Sequence, residues 1–489
     1  MKKLYCLLAI VLLLAGCSQQ TQPAAPSETG SASAWVGIDI YGVNDLHGKL
    51  LDTTAQPGVD ELTTYLKSQP GNPILLATGD MWQGASESNL TGGAIVTEWM
   101  NDLGFAAMTL GGHEFDFGEE GIRQNQQLAN FPFLAINIYS RQTNAPVDFC
   151  QGSVVVDIEG VQVGIIGAIG DCYYAIASQH TEDIYFKTGT ELTALVKAEA
   201  ERLRSQGVDF IIYALHDGAA QTTGDTKPQP VADETLASYY DTQLSQGYVD
   251  LVFEADSHYW YLLEDAQGVC HLQSGGNNSG ISHAKVLINT KTGEAQVVTT
   301  RLIPASGYSY MGDDPVVERL LEKYAEEIAP ANRILGENGS YRNKNQICQL
   351  VADLYCQQGM ETWGDRYDIV LGGGYISCRS PGYLPAGEVT YSQLQSLLPF
   401  DNQIMLCSIK GLDLIAKFLE TDNDAYFIKT TPYGESIRED VDPDETYYVV
   451  TDSYTGQYAY NHMTVVETYD GNVFARDLLA AHIAAGHLD

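Results

Sequence analysis

Positive charge is what this sequence has least of: 26 Lys and Arg stand against 63 Asp and Glu over 489 residues, a formal net charge of −37. Such a chain repels nucleic acid and anionic membrane surfaces, so an anionic ligand must be held by a local exception to the global field. The apolar run from Leu4 to Gly16 is shorter than the roughly 20 residues of a membrane-spanning helix. No C-x-x-C spacing and no Cys/His pair at zinc-ligand spacing occurs, which argues against a structural zinc module. There is no internal repeat of fixed period. What is present, 44% hydrophobic and 18% charged residues in a long chain, describes a globular protein with room for two or three cores.

Lys2 and Lys3 ahead of the apolar run make residues 1–16 a secretory signal. Its end, "LLAGCS", resembles a bacterial lipobox, in which Cys17 is acylated and becomes the mature N-terminus. Several acyl chains there would give a stable membrane anchor that one chain does not. Residues 17–34 have almost no large apolar side chain and read as a flexible tether. Of nine cysteines, Cys6 leaves with the signal and Cys17 takes lipid. The remaining seven are an odd number, which argues for isolated buried thiols over a complete disulfide framework. Cys348 and Cys356 have the spacing to share a helix face.

From Trp35 to about Ile303, apolar β-branched runs alternate with amphipathic stretches, the pattern of strands between helices. Five runs end in the same chemistry. "WVGIDIYGVNDLHG" reaches Asp45 and His47, "PILLATGD" reaches Asp80, and "FAAMTLGGHEFD" reaches His113 and Asp116. "FIIYALHDG" reaches His216, and "VDLVFEADSH" reaches Asp256 and His258. Carboxyl ends of strands in layered α/β proteins line one crevice, so these residues are expected to converge. In "DDPVVERLLEKYAEEIAP", Asp314 caps, Pro315 opens, and positions 316, 317, 320, 321, 324 and 328 are apolar, which predicts a helix over 313–330 between two units.

Neutral imidazole and carboxylate together suit zinc, manganese, iron or cobalt, whereas calcium would take oxygen alone. A dinuclear pair needs a bridging carboxylate, and Asp80, alone at its strand end, is the natural bridge.

At this point the ordered set "NDLHG", "TGDMWQG", "GGHEFDFG", "LHDG" and "DSH" resembles the calcineurin-like metallophosphoesterase domain of the 5′-nucleotidase family. "DIVLGGGYI", "GEVTYSQLQSLLPFDNQI" and "QICQLVADLY" are similar to that family's C-terminal domain. The resemblance covers nearly the whole chain after the tether. It implies an α/β protein: a four-layer α/β sandwich metallophosphoesterase domain over 35–312, a linker helix over 313–334, and an α+β C-terminal substrate-binding domain over 335–489.

It also implies roles. Asp45, His47 and His258 would hold one metal, Asp80 would bridge, and His216 would hold the second. His113 would stabilise phosphoryl oxygens, oriented by Asp116. Phe400 and Asn402 in "LPFDNQ", with Tyr458 or Tyr460 in "SYTGQYAYNH", would hold a nucleoside base, and Arg342 and Arg379 an anion.

Two departures strike the second metal. Gly112 stands where the family has an Asn ligand, and Asp256 where it has a His; a carboxylate can still ligate. In "LGGGYISCR", Leu371 and Ile376 replace an Asn and an Arg of the family, and Arg379 lies three residues on. The expected protein is an extracytoplasmic, lipid-anchored hydrolase of nucleotides with one or two divalent ions, zinc or manganese. No nucleic acid and no obligate protein partner is expected. The alternatives are a binding lipoprotein with impaired turnover, or a phosphoesterase for a cyclic, sugar or non-nucleotide ester. Phe400 as a plain core residue stays open.

Overall fold

The apolar runs become strands because each face meets its own apolar surface. In Phe210–His216, Phe210, Ile212 and Ala214 enter a core shared with a facing sheet, while Ile211, Tyr213 and Leu215 pack toward the helix Thr190–Ser205. That is a strand buried on both sides.

The computed structural model describes residues 34–52, 57–176, 180–218, 227–230, 248–376, 378–379, 381–419, 428–431, 441–457, 461–470 and 473–488. The expected signal, the lipidation at Cys17, nearly all of the tether, and both Tyr458 and Tyr460 lie outside them.

Among the described residues a six-stranded sheet runs in the order 295–304, 280–289, 35–43, 74–77, 107–109, 133–134. A seven-stranded sheet runs 229–230, 260–264, 270–274, 251–253, 210–216, 161–169, 153–158. Ile38, Ile40, Ile74 and Leu76 of the first meet Val163, Ile165, Ile212 and Phe253 of the second. Helices Val59–Lys67, Ala94–Leu103 and Gly118–Leu128 cover the other face of the first sheet through Leu62, Trp99 and Ile122. Leu192, Val196 and Leu203 of Thr190–Ser205 cover the second. The result is the expected four-layer α/β sandwich.

Beyond it, a five-stranded sheet runs in the order 428–430, 369–374, 446–452, 404–410, 464–468. Helix Lys344–Trp363 packs on it through Ile347, Val351 and Tyr355. A reciprocal capping box of Asn343 and Gln346 sets where that helix starts.

Two expectations need correction. The helix predicted over 313–330 is shorter: it spans Val316–Lys323, breaks at Tyr324 (φ −99°, ψ 19°), and resumes as Ala325–Ile328. The N-cap is Pro315 rather than the expected Asp314, which lies one residue earlier and accepts from the Val316 amide at 3.0 Å. Val316, Val317 and Leu320 sink into the first core, which fixes the helix to the sandwich as packing rather than as a free spacer. The thiols are also not all isolated, because Cys348 Sγ lies 3.5 Å from Cys378 Sγ, although all seven described cysteines are free.

Candidate metal centre and substrate cavity

Strands 35–43, 74–77 and 107–109 are mutually parallel, as are 161–169, 210–216 and 251–253, so in each set the carboxyl ends emerge on one side. The loops beyond them meet. One ligand atom each from Asp45, His47 and His258 lies within 4.8 Å of the others, and so do those of Asp45, Asp80 and His216. Asp45, His47, Asp80, Asp256 and His258 have φ of 48°, 50°, 53°, 64° and 56°. Left-handed backbone at so many L-residues is strain concentrated at one place, as functional sites show. Gly111 is needed for a different reason: a Cβ there would fall on Asp80 Oδ1 and 2.7 Å from His216 Cε1.

The tautomers follow from the hydrogen bonds. His216 Nδ1 lies 2.7 Å from the Thr78 carbonyl, so it bears the proton and donates. Nε2 then faces Asp80 Oδ1 at 3.3 Å with no hydrogen bond of its own, on a fully buried side chain. In the neutral ring a lone pair pressed toward a carboxylate is repulsive, so the position calls for positive charge there, a second proton or a metal ion. His47 Nδ1 likewise donates to the Gln83 carbonyl at 2.9 Å, and its Nε2 meets His258 Nε2 at 3.0 Å. These donors fit divalent cations, with each imidazole oriented by a backbone carbonyl behind it.

The proton affinities carry the same message. Burial disfavours charge on His216, but the Asp80, Asp45 and Asp256 carboxylates outweigh it and raise its pKa well above the ordinary value. Burial, helped by His258, pushes His47 well down and keeps the imidazole neutral, the form in which it can ligate a metal. Burial lifts the Asp45 carboxyl well up, whereas Asp80, pushed the same way by burial, is held well below its ordinary value by His216 and His113.

His113 begins a short 3-10 turn, His113–Phe117. Its Nδ1 is 2.8 Å from Asp116 Oδ2, and its backbone amide donates to Asp80 Oδ1 at 2.8 Å. Glu114, to which the motif reading assigned nothing, is fully buried and accepts from the amides of Asp80, Met81 and Gly111 at 2.9, 2.8 and 2.7 Å. It ties the loop of Asp80 to the turn of His113.

No family model matches the chain. UshA of Yersinia enterocolitica is 25% identical, over 86% of this chain and 86% of its own. A 5′-nucleotidase of Vibrio vulnificus is 29% identical, over 83% and 78%. The solved 5′-nucleotidase precursor of Thermus thermophilus superposes with a TM-score of 0.70 at 17% identity, over 92% and 96%. In sequence and in fold the chain is similar to 5′-nucleotidases.

A cavity of about 660 Å³ opens beside the donors, lined by His113, Asp116, Asp256, Arg379, Phe400 and Asn402 among others. Phe400 is half-buried at its wall, with its ring stacked on that of His113 (centroids 5.0 Å, 26°). Arg379 places its guanidinium 4.9 Å from the Phe400 ring centre, and its buried Nε has no hydrogen-bond partner. Arg342 is not brought to the cavity: it donates to Asn338 and to the Leu488 carbonyl. Ile376 lines the cavity, whereas Leu371 is core.

Residues that sequence reasoning missed include Tyr375 and Tyr454, which line the same cavity. Lys49 and Lys344 join Arg379, His47 and His258 around an adjoining space of about 220 Å³. Those cations are the local exception that the overall charge demands. Nothing in their sequence spacing marks them.

Proposed function

We propose that the protein is an extracytoplasmic, metal-dependent phosphoric ester hydrolase that converts nucleotides to nucleoside and phosphate. The observation that carries this reading is the convergence of Asp45, His47, Asp80, His216 and His258 from two facing sheets beside a cavity walled by Phe400 and Arg379. Residues 35–312 would form the metallophosphoesterase unit, 313–334 the linker and 335–489 the substrate unit. A signal over 1–16 and acylated Cys17 would place it at the cell membrane; no described helix is long and apolar enough to cross one.

Asp45, His47, Asp80 and His258 would hold one divalent ion, and Asp80, His216 and Asp256 a second, with zinc or manganese as the proposed metals. Bound ions supply a hydroxide at neutral pH and neutralise charge on the phosphoryl group. His113, protonated and held by Asp116, donates from Nε2 to a phosphoryl oxygen as charge grows there. Arg379 adds a fixed positive charge at the cavity wall, with a buried Nε that has no hydrogen-bond partner. Phe400 offers an aromatic ring and Asn402 an amide to the base, with Tyr375 and Tyr454 on the same cavity. Stacking of this kind selects bases as a class.

Metal content and phosphate release, measured on one sample with AMP, ADP, ATP, cyclic nucleotides and sugar nucleotides, test the reading. Two metals per chain and release from a nucleotide are expected, both lost in Asp80→Ala. Nucleoside binding without release would instead identify a binding protein. Release only from a non-nucleotide ester would mean that Ile376 has redirected the cavity, which its apolar lining there favours as the second reading.

A further inference from the structure

We propose that Cys172 is a thiolate ligand which, with His216 and Asp256, completes the second metal position. This rests on the metallophosphoesterase reading above. Strand Val161–Ile169 runs parallel to Phe210–His216 with Ile169 in register with His216, so the residues that follow it are delivered to the carboxylate cluster. The ladder continues one step further, the Gly170 amide donating to the His216 carbonyl at 3.0 Å. The chain then turns through Asp171–Ala175. Asp217 pins that turn by accepting from the Asp171 amide at 2.7 Å.

Cys172, 7% exposed, sits on the turn with its thiol donating to the His216 carbonyl at 3.0 Å. Its Sγ lies within 4.8 Å of ligand atoms of both His216 and Asp256. Donors around one ion with bonds of 2.0–2.3 Å stand at most about 4.6 Å apart, so the three are already near coordination spacing. The second observation is His216 Nε2, fully buried, without a hydrogen-bond partner and directed into the same cluster.

The plain alternative is a packing thiol, which describes the other buried cysteines. Among the described residues, Cys172 is the one thiol grouped with imidazole and carboxylate donors. Gly112, at the neighbouring strand end, brings no side-chain donor. A Cβ there would touch only Ile176 Cγ1 at 3.7 Å, the residue just after the Cys172 turn.

On ligation the S–H bond breaks, the sulfur electron pair binds the ion, and the proton goes to solvent. A thiolate prefers zinc, cobalt or cadmium over manganese or magnesium, so this position should be thiophilic while the Asp45–His47–His258 position keeps a harder donor set.

Cobalt(II) loaded into the metal-free full chain is the probe. Wild type should show thiolate-to-cobalt absorption in the near ultraviolet. Cys172→Ser and Cys172→Ala should lose it, with affinity for the weaker cobalt falling by more than the roughly 10–100-fold that an outer-shell change costs. Adding Gly112→Asn to Cys172→Ala should recover affinity without the absorption, because an amide has replaced the sulfur. Should the variants misfold, X-ray absorption of zinc-loaded wild type still decides, since one sulfur at about 2.3 Å is expected. Cobalt bound without a thiolate band, or a zinc shell of nitrogen and oxygen alone, overturns the assignment to Cys172. Failure of the chain to bind cobalt or zinc overturns the metallophosphoesterase reading itself.

Discussion

His113 is held between two carboxylates. Burial alone would lower its pKa, but Asp80 and Asp116 raise it to about 9. A pKa raised above the ordinary 6.5 means that the imidazolium stabilises the fold fully below that value and that this contribution is lost as pH rises through about 9. In metal-stripped Asp116→Asn the His113 titration, followed by NMR, should move down in pH and the stabilising window should narrow. Hydrolysis by the metal-loaded variant should fall by about 10–100-fold, the usual effect of losing a group that orients an active side chain. An unmoved titration would mean that Asp116 does not face the imidazole in solution.

The same level of single side chains shows which parts of the site could be read from the chain. The histidines and acids at strand ends were legible because each closes an apolar run. "VGIIGAIGDC" ends in the same way, with Cys172 in the ligand's place, yet a cysteine after Gly-Asp carries no such signal by itself. Glu114 was illegible for another reason. Its partners are backbone amides, two of them more than thirty residues away, and amides leave no trace in sequence.

Among the elements, the loop 398–401 decides where Phe400 stands. Arg476, buried at the start of helix Ala475–Ala484, donates to the Leu398 and Pro399 carbonyls at 3.1 and 3.3 Å and to Asp401 at 2.5 Å. Arg476→Met should remove these bonds while filling the space. We expect a loss of roughly 1.5–3 kcal/mol in urea unfolding, the range for hydrogen bonds to a charged group, together with a higher KM for nucleotide. An unchanged KM would mean that Phe400 is positioned by its stacking on His113 alone.

The helix after the sandwich teaches a related lesson. Its start was marked by Asp314 and Pro315, and its apolar positions were periodic, but the break at Tyr324 was not foreseeable. Val316, Val317 and Leu320 bury in the sandwich core, whereas the acidic residues beyond Tyr324 have no such surface. Packing ends the helix where the periodic pattern alone would have carried it on.

At the scale of the whole molecule the chain is strongly acidic, and Lys49, Lys344 and Arg379 stand around the cleft. At low ionic strength the Debye length of about 30 Å lets the net charge of −37 act on an approaching anion, and at 0.15 M it shrinks to about 8 Å. Steady-state kcat/KM for a nucleotide should therefore rise as salt is raised from about 0.01 to 0.15 M, opposite to an electrostatically steered enzyme. A fall would mean that the three cations govern encounter.

The layered α/β architecture and the order of the metal-type motifs were determined by local pattern: strands buried on both faces must be apolar runs, and loops at their carboxyl ends must carry the chemistry. Which donors come together was decided only in three dimensions. His47 meets His258 from 211 residues away, and Ser86 and Asn89 contact Ser392 and the Pro399 carbonyl across the cleft. The release of Arg342 from the site and the arrival of Cys172 belong to that second class. Both depend on which strand lies next to which, and a parallel register is set by long-range pairing that no local stretch of sequence encodes.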